Sequence, residues 1–92
     1  MINYHLTVSG RVQGVGFRWS TYQLAKEMGV TGYVENLANG DVAIVVQGPH
    51  ETVRRFVQEV QAGVSPYARV DNVQIKPGNL VDFKDFSIKE SW

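Results

Sequence analysis

Three glycines precede an arginine in Gly10-Arg11-Val12-Gln13-Gly14-Val15-Gly16-Phe17-Arg18. Glycines at such positions let successive backbone N–H groups turn to one side and form a concave nest for an anion. A helix starting just after them adds the positive end of its dipole. Arg18 contributes a planar fork of donors that matches two oxygens of a phosphoryl group. Gln13, Gly14, Val15, Gly16, Phe17 and Arg18 are therefore the candidate contacts for a tetrahedral oxyanion. Glycine spacing alone supports another reading equally well, a tight turn with a solvated arginine. The stretch is not a Walker phosphate loop, because no Gly-Lys-Ser/Thr follows the glycines. Nor is it a dinucleotide fingerprint, whose glycines are spaced differently.

Asn36 is the second candidate. It stands just ahead of Leu37-Ala38-Asn39-Gly40-Asp41, in which Asn-Gly marks a hairpin turn. A carboxamide both donates and accepts hydrogen bonds and does not titrate, so it can orient a water for attack. By residue type alone, capping the end of a strand is the more common role. His5 and His50 fall on different elements with no third ligand nearby, so no metal site is expected. Arg54, Arg55, Asp82 and Asp85 read as solvated charges, and no Ser-His-Asp arrangement is discernible. Trp19 finds no assignment, and Trp92 is expected to fray or pack on an edge.

These residues need a scaffold, and the hydrophobic period supplies one. Tyr4, Leu6 and Val8 alternate with polar residues, as in a half-buried strand. Thr21, Leu24, Ala25 and Met28 share one face of a helix that Gly29 ends. Strands are predicted over Val30 to Asn36 and Val42 to Gln47, the second covered on both faces because Val45 interrupts its polar side. After Gly48-Pro49, Val53, Phe56, Val57 and Val60 define a second helix, with Glu51 near its start and Gly63 at its end. Ser65-Pro66 is a turn. Arg69 to Lys76 reads as a strand in which Val70 and Val73 are out of phase, which predicts a bulge or a late start. Pro77-Gly78 ends it, and Phe86 to Lys89 is a short last strand.

The order β-α-β-β-α-β has two helices with one apolar face each, so both must cover one face of a sheet. Right-handed crossovers then give a ferredoxin-like α+β sandwich, an antiparallel sheet of order 4-1-3-2 with a short extra C-terminal strand. Strands one and two run the same way, so Asn36 comes to the sheet edge that carries the glycine-rich loop.

Composition bounds the function. The chain has 92 residues, expected to form one domain over 1–92, and is 43% hydrophobic and 20% charged, as in a folded globular protein. Nine basic and nine acidic residues cancel, which argues against a duplex-DNA binder. The absence of cysteine excludes disulfides, thiolate nucleophiles and iron–sulfur clusters. No apolar run approaches a membrane span, and Met1 to His5 has no basic or apolar leader character, so a cytoplasmic protein is expected.

The run Gly10 to Arg18 resembles the signature loop of the acylphosphatases. Gly32-Tyr33-Val34-Glu35-Asn36, followed by Asn39-Gly40, is similar to their second signature. Gln47-Gly48-Pro49, Ser65-Pro66, Arg69-Val70-Asp71 and Phe86-Ser87-Ile88 match as well, so the resemblance covers nearly the whole chain. It implies hydrolysis of carboxyl–phosphate mixed anhydrides to carboxylate and phosphate without metal or cofactor. The family's two catalytic residues map onto Arg18 and Asn36. Tyr33, Glu35 and Asn39, which flank the pair, depart from the family's usual pattern, and Glu90-Ser91-Trp92 runs past its usual end. With no Asp, Glu or His expected at the site, the substrate itself would supply the base.

The expected partners are a small acyl phosphate and inorganic phosphate or sulfate, with no nucleic acid or membrane, acting on a monomer. The rivals are an RNA-binding module of the same topology, a non-catalytic phospho-ligand sensor and a module of a larger carbamoyl-transfer enzyme. Strand three offers no aromatic to stack a base, and the chain's own Met1 and its length speak against the last rival.

Overall fold

Strict alternation from Tyr4 to Ser9 builds β1 (Ile2–Arg11) in the computed structural model, which describes residues 1–90. Ser91 and Trp92, the latter expected at an edge, lie outside the described residues. There follow α1 (Phe17–Met28), β2 (Thr31–Asn36), β3 (Val42–Gly48), α2 (His50–Ala62), β4 (Arg69–Pro77) and β5 (Phe86–Lys89). Gly29 ends α1 in the left-handed conformation, its N–H donating to the carbonyls of Ala25 and Lys26. The elements are those the hydrophobic period predicts, with ends moved by one or two residues.

The strand order is β4-β1-β3-β2-β5. Leu6 lies opposite Ile44, which lies opposite Val34, and Val8 lies opposite Val42. These side chains share the face on which Phe17, Ala25, Val53, Phe56 and Val60 are buried with them. The predicted bulge is present. Ser9 faces Asn72 but Gly10 faces Val70, so Asp71 is the extra residue and Val70 and Val73 both turn to the helices.

The sheet is mixed rather than wholly antiparallel, because β5 pairs parallel with β2. After β4 the chain runs back across the face away from the helices before entering β5. Asn3 and Gln47 hold this crossing. The Asn3 carbonyl accepts from the Gly78 N–H at 2.9 Å. Gln47 Oε1 accepts from the Val81 N–H at 2.9 Å and from Asn3 Nδ2 at 3.1 Å, while Gln47 Nε2 donates to the Val81 carbonyl at 2.7 Å. Residues 78–85 thus cover the side of β3 on which Val45 is buried, and the sheet face on which an RNA-binding module would stack bases is crossed by chain. Gln47→Ala strips three hydrogen bonds from this crossing and strands a buried amide. It should cost about 2 kcal/mol of unfolding free energy, read from the denaturant midpoint.

Candidate active site

Gly14 and Gly16 stand in the left-handed region, at φ 73° and 77°. Any residue with a Cβ would pay roughly 1–2 kcal/mol for that backbone, although the space around both is open. Gly16 caps α1 without a side-chain hydrogen bond, and the first turn of α1 carries no carboxylate. The helix therefore presents its first N–H groups and its positive dipole end to whatever lies in front of the loop. Phe17 is buried in the core and anchors the helix start, so its possible contact with an anion is its backbone N–H.

Two distant side chains fix the shape of the loop. Gln13 Nε2 donates to the carbonyls of Leu37 and Asp41, both at 2.8 Å. That amide ties the glycine-rich loop to the hairpin following Asn36, and what Gln13 retains for an anion is its backbone N–H. On the other side, the buried Ser65 hydroxyl donates to the Val15 carbonyl at 2.6 Å and accepts from the Tyr67 N–H at 3.4 Å. Across a trans peptide the carbonyl and the next N–H point in opposite directions. Ser65 thus holds the Gly16 N–H turned away from itself. Gln13→Ala removes both links to the hairpin. At roughly 1 kcal/mol each, their loss should weaken phosphate binding by up to about thirtyfold, measurable by calorimetry.

Asn36 ends β2 opposite Val42, on the same sheet face as Val34 and at the edge where the loop and the start of α1 lie. The hairpin after it is closed by the Leu37 N–H donating to the Asp41 carbonyl at 2.8 Å and by Asn39 Oδ1 accepting from the Asp41 N–H at 3.0 Å. Two cavities meet here, and both Arg18 and Asn36 line each of them. The narrower, about 310 Å³, is also bounded by Gly14, Gly16, Trp19 and Glu90. The wider, about 690 Å³, opens past Gln13, Leu37 and Glu35. The loop, Arg18 and Asn36 are therefore brought together, whereas His5 and His50 are not. Among the described residues no group of three or more carboxylate or histidine side chains is placed to hold a metal ion.

A site free of carboxylates was the expectation, and here the structure differs. Glu35 and Glu90 both stand on the walls. The parallel pairing sets Glu35 beside Lys89, which carries Glu90 alongside Asn36. Glu35 has a local signal, being next to Asn36 in the chain. Glu90 has none, because hydrophobic period reveals which face a strand buries and not which strand it joins.

The chain is a small α+β protein of ferredoxin-like fold in which a glycine-rich loop, an arginine and a carboxamide meet at one sheet edge. The family model for acylphosphatase matches residues 4–88. The chain is 46% identical over 84 residues to an acylphosphatase of Caldanaerobacter subterraneus subsp. tengcongensis, covering 87% of this chain and 92% of that one. It superposes on the crystal structure of acylphosphatase from Bacillus subtilis with a TM-score of 0.93 at 36% identity, over 97% of this chain and 99% of that chain. It also resembles T. kodakarensis HypF, with a TM-score of 0.85 at 35% identity, over 99% of this chain but 12% of the larger one. The chain belongs to the acylphosphatase family, and it is an enzyme of the acylphosphatase type whose substrates are acyl phosphates.

Proposed function

We propose that the loop amides from Gly14 to Arg18 and the Arg18 guanidinium hold the phosphoryl group of an acyl phosphate while Asn36 places the attacking water. The observation that supports this most is that Arg18 and Asn36 line the same two cavities in front of the loop and the start of α1. An acyl phosphate is already activated, since its leaving carboxylate is a weak base. Catalysis then reduces to positioning and to spreading phosphoryl charge onto fixed donors. The water oxygen bonds to phosphorus, the phosphorus–oxygen bond to the acyl group breaks, and the acyl half leaves as carboxylate. A phosphoryl oxygen takes the proton of the water.

The same reading has the protein act as a monomer in the cytoplasm without metal or cofactor. Among the described residues no helix is long and apolar enough to cross a membrane.

The test is phosphate release from acetyl phosphate with a chelator present throughout. Turnover above the buffer rate, unchanged by the chelator, is expected. Turnover that chelation abolishes and a divalent ion restores would contradict the metal-free reaction. Phosphate binding without turnover would make the chain a phospho-ligand sensor. Inorganic phosphate should compete with substrate, raising the apparent KM at unchanged kcat, because a tetrahedral anion meets the same donors.

A further inference from the structure

His5 has no part in the reaction proposed above, and it lies directly opposite Lys76 where β1 pairs with β4. Residues opposed in this way have their Cβ atoms about 4.5–5.5 Å apart on one sheet face, so the imidazole and the amine share one place. Both line a groove of about 440 Å³ on the face away from the helices, together with Gly78, Asn79 and Val81. Both are exposed to solvent. Behind His5 the packing is tight. The place that a Cβ on Gly78 would take is 2.6 Å from His5 Nε2 and 2.5 Å from Asn3 Oδ1, so this edge of the ring lies against the crossing. Asn3 is buried, at 2% exposure, and its Oδ1 has no hydrogen-bond partner. An acceptor without a donor beside Nε2 favours the tautomer that carries its proton there, which leaves Nδ1 as the acceptor.

We propose that Lys76 is a site of covalent acylation by acyl phosphates, with His5 as the base. A substrate of this class carries an activated carbonyl beside its activated phosphoryl group. The neutral Lys76 amine bonds to the carbonyl carbon, the bond from that carbon to the phosphate oxygen breaks, and inorganic phosphate leaves with the electron pair. The proton shed by the amine passes to His5 Nδ1, and the product is an N-acyl lysine. The step breaks a carbon–oxygen bond, whereas the hydrolysis breaks the phosphorus–oxygen bond. The groove suits an anionic reagent, since Lys76 brings positive charge and no carboxylate lines it. The other three lysines are placed less well. Lys26 Nζ lies 5.9 Å from the Tyr22 ring centroid and Lys89 Nζ 4.5 Å from that of Tyr33, and each ring face favours the charged, unreactive ammonium. Lys84 is exposed and does not line this groove.

The experiment incubates the protein with acetyl phosphate at neutral pH, replenished as it is consumed, and reads initial acetylation rates at the four lysines by peptide mass spectrometry. The α-amine of Met1 is scored separately. Lys76 should react about tenfold faster than Lys84, a small share of what a fully preorganised general base supplies. His5→Gln should bring Lys76 to within about twofold of Lys84 and leave the rates at Lys26, Lys84 and Lys89 within about twofold of wild type. His5→Phe keeps a ring against Gly78 and should give the same result, which separates loss of the base from loss of packing. Hydrolysis of acetyl phosphate should be unchanged in both variants. Arg18→Lys, in which hydrolysis should be lost, should keep the preference for Lys76, so the outcome does not depend on the reaction at the glycine-rich loop. Equal rates at Lys76 and Lys84 in the wild-type protein overturn the proposal. So does a lead of Lys76 that survives in both His5 variants or vanishes in Arg18→Lys.

Discussion

Arg18→Lys should produce a folded protein whose kcat/KM on acetyl phosphate is lower by about a thousandfold. Arg18 is the second residue of α1, and it lines both cavities from the helix end. Lysine keeps the charge but would replace the planar two-point contact of the proposed reaction by one mobile ammonium, so the phosphoryl group should lose both a donor and its orientation. Hydrogen bonds to charged groups contribute about 1.5–3 kcal/mol, so the ground-state loss alone is about ten- to a hundredfold in phosphate affinity. The remainder comes from transition-state charge that the guanidinium meets without reorganising. Stability should move by less than about 0.5 kcal/mol, because among the described residues no ion pair engages Arg18. Steady-state kinetics, phosphate calorimetry and a melting curve on one preparation check all three. Kinetics like those of the wild type in the folded variant would reduce Arg18 to a solvated turn residue.

Asn36→Ala should separate rate from binding. In the proposed reaction the loop amides and Arg18 touch the phosphoryl group before the chemical step, so phosphate affinity should stay within about threefold of wild type. The carboxamide is assigned to the attacking water, whose position counts in the transition state. Deleting one preorganised polar group of this kind costs roughly 10²–10³ in kcat. The stability cost should be about 1 kcal/mol, since the β2–β3 register around Asn36 and Val42 is carried by backbone bonds that alanine can also make. If phosphate affinity falls as far as kcat, Asn36 contacts the phosphoryl group and has no separate role with the water. If kcat survives, Asn36 is a strand-end residue and nothing more.

Much of this site can be read from local pattern. Gly14, Gly16 and Arg18 make the loop a candidate anion site, although their spacing fits a tight turn with a solvated arginine equally well, and the resemblance to the acylphosphatase signature is what favours the first. Asn36 is harder, since an amide before an Asn-Gly turn is commonplace. It becomes a candidate once strand direction shows that β2 ends at the edge where β1 delivers the loop. Gln13 reads in the sequence as an anion contact, and in the structure its side chain donates to the carbonyls of Leu37 and Asp41, 24 and 28 residues away. Ser65 reads only as a turn residue in the sequence, and its hydroxyl instead orients a peptide 50 residues earlier in the chain. Such pairs leave no periodic trace, because neither partner needs the other until the fold has brought them together.

The sequence by itself determined the two helices, the strands and the face each buries, and it offered Arg18 and Asn36 as candidates for the chemistry. Periods of 3.6 and 2 are local properties, and so are the φ demands of a glycine loop. Only the tertiary structure decided where β5 attaches. A strand of four residues carries no signal for its neighbour, and a hairpin would have made it antiparallel. The crossing of residues 78–85, held by Asn3 and Gln47, brings the chain to the far edge beside β2 instead, and so makes the pairing parallel. That one long-range choice sets Glu90 next to Asn36 and gives the site a negative wall on one side only. The two tethers of the loop, from Gln13 and Ser65, likewise depend on elements meeting in space, because a hydrogen bond is specified by position and direction that no stretch of the chain holds alone.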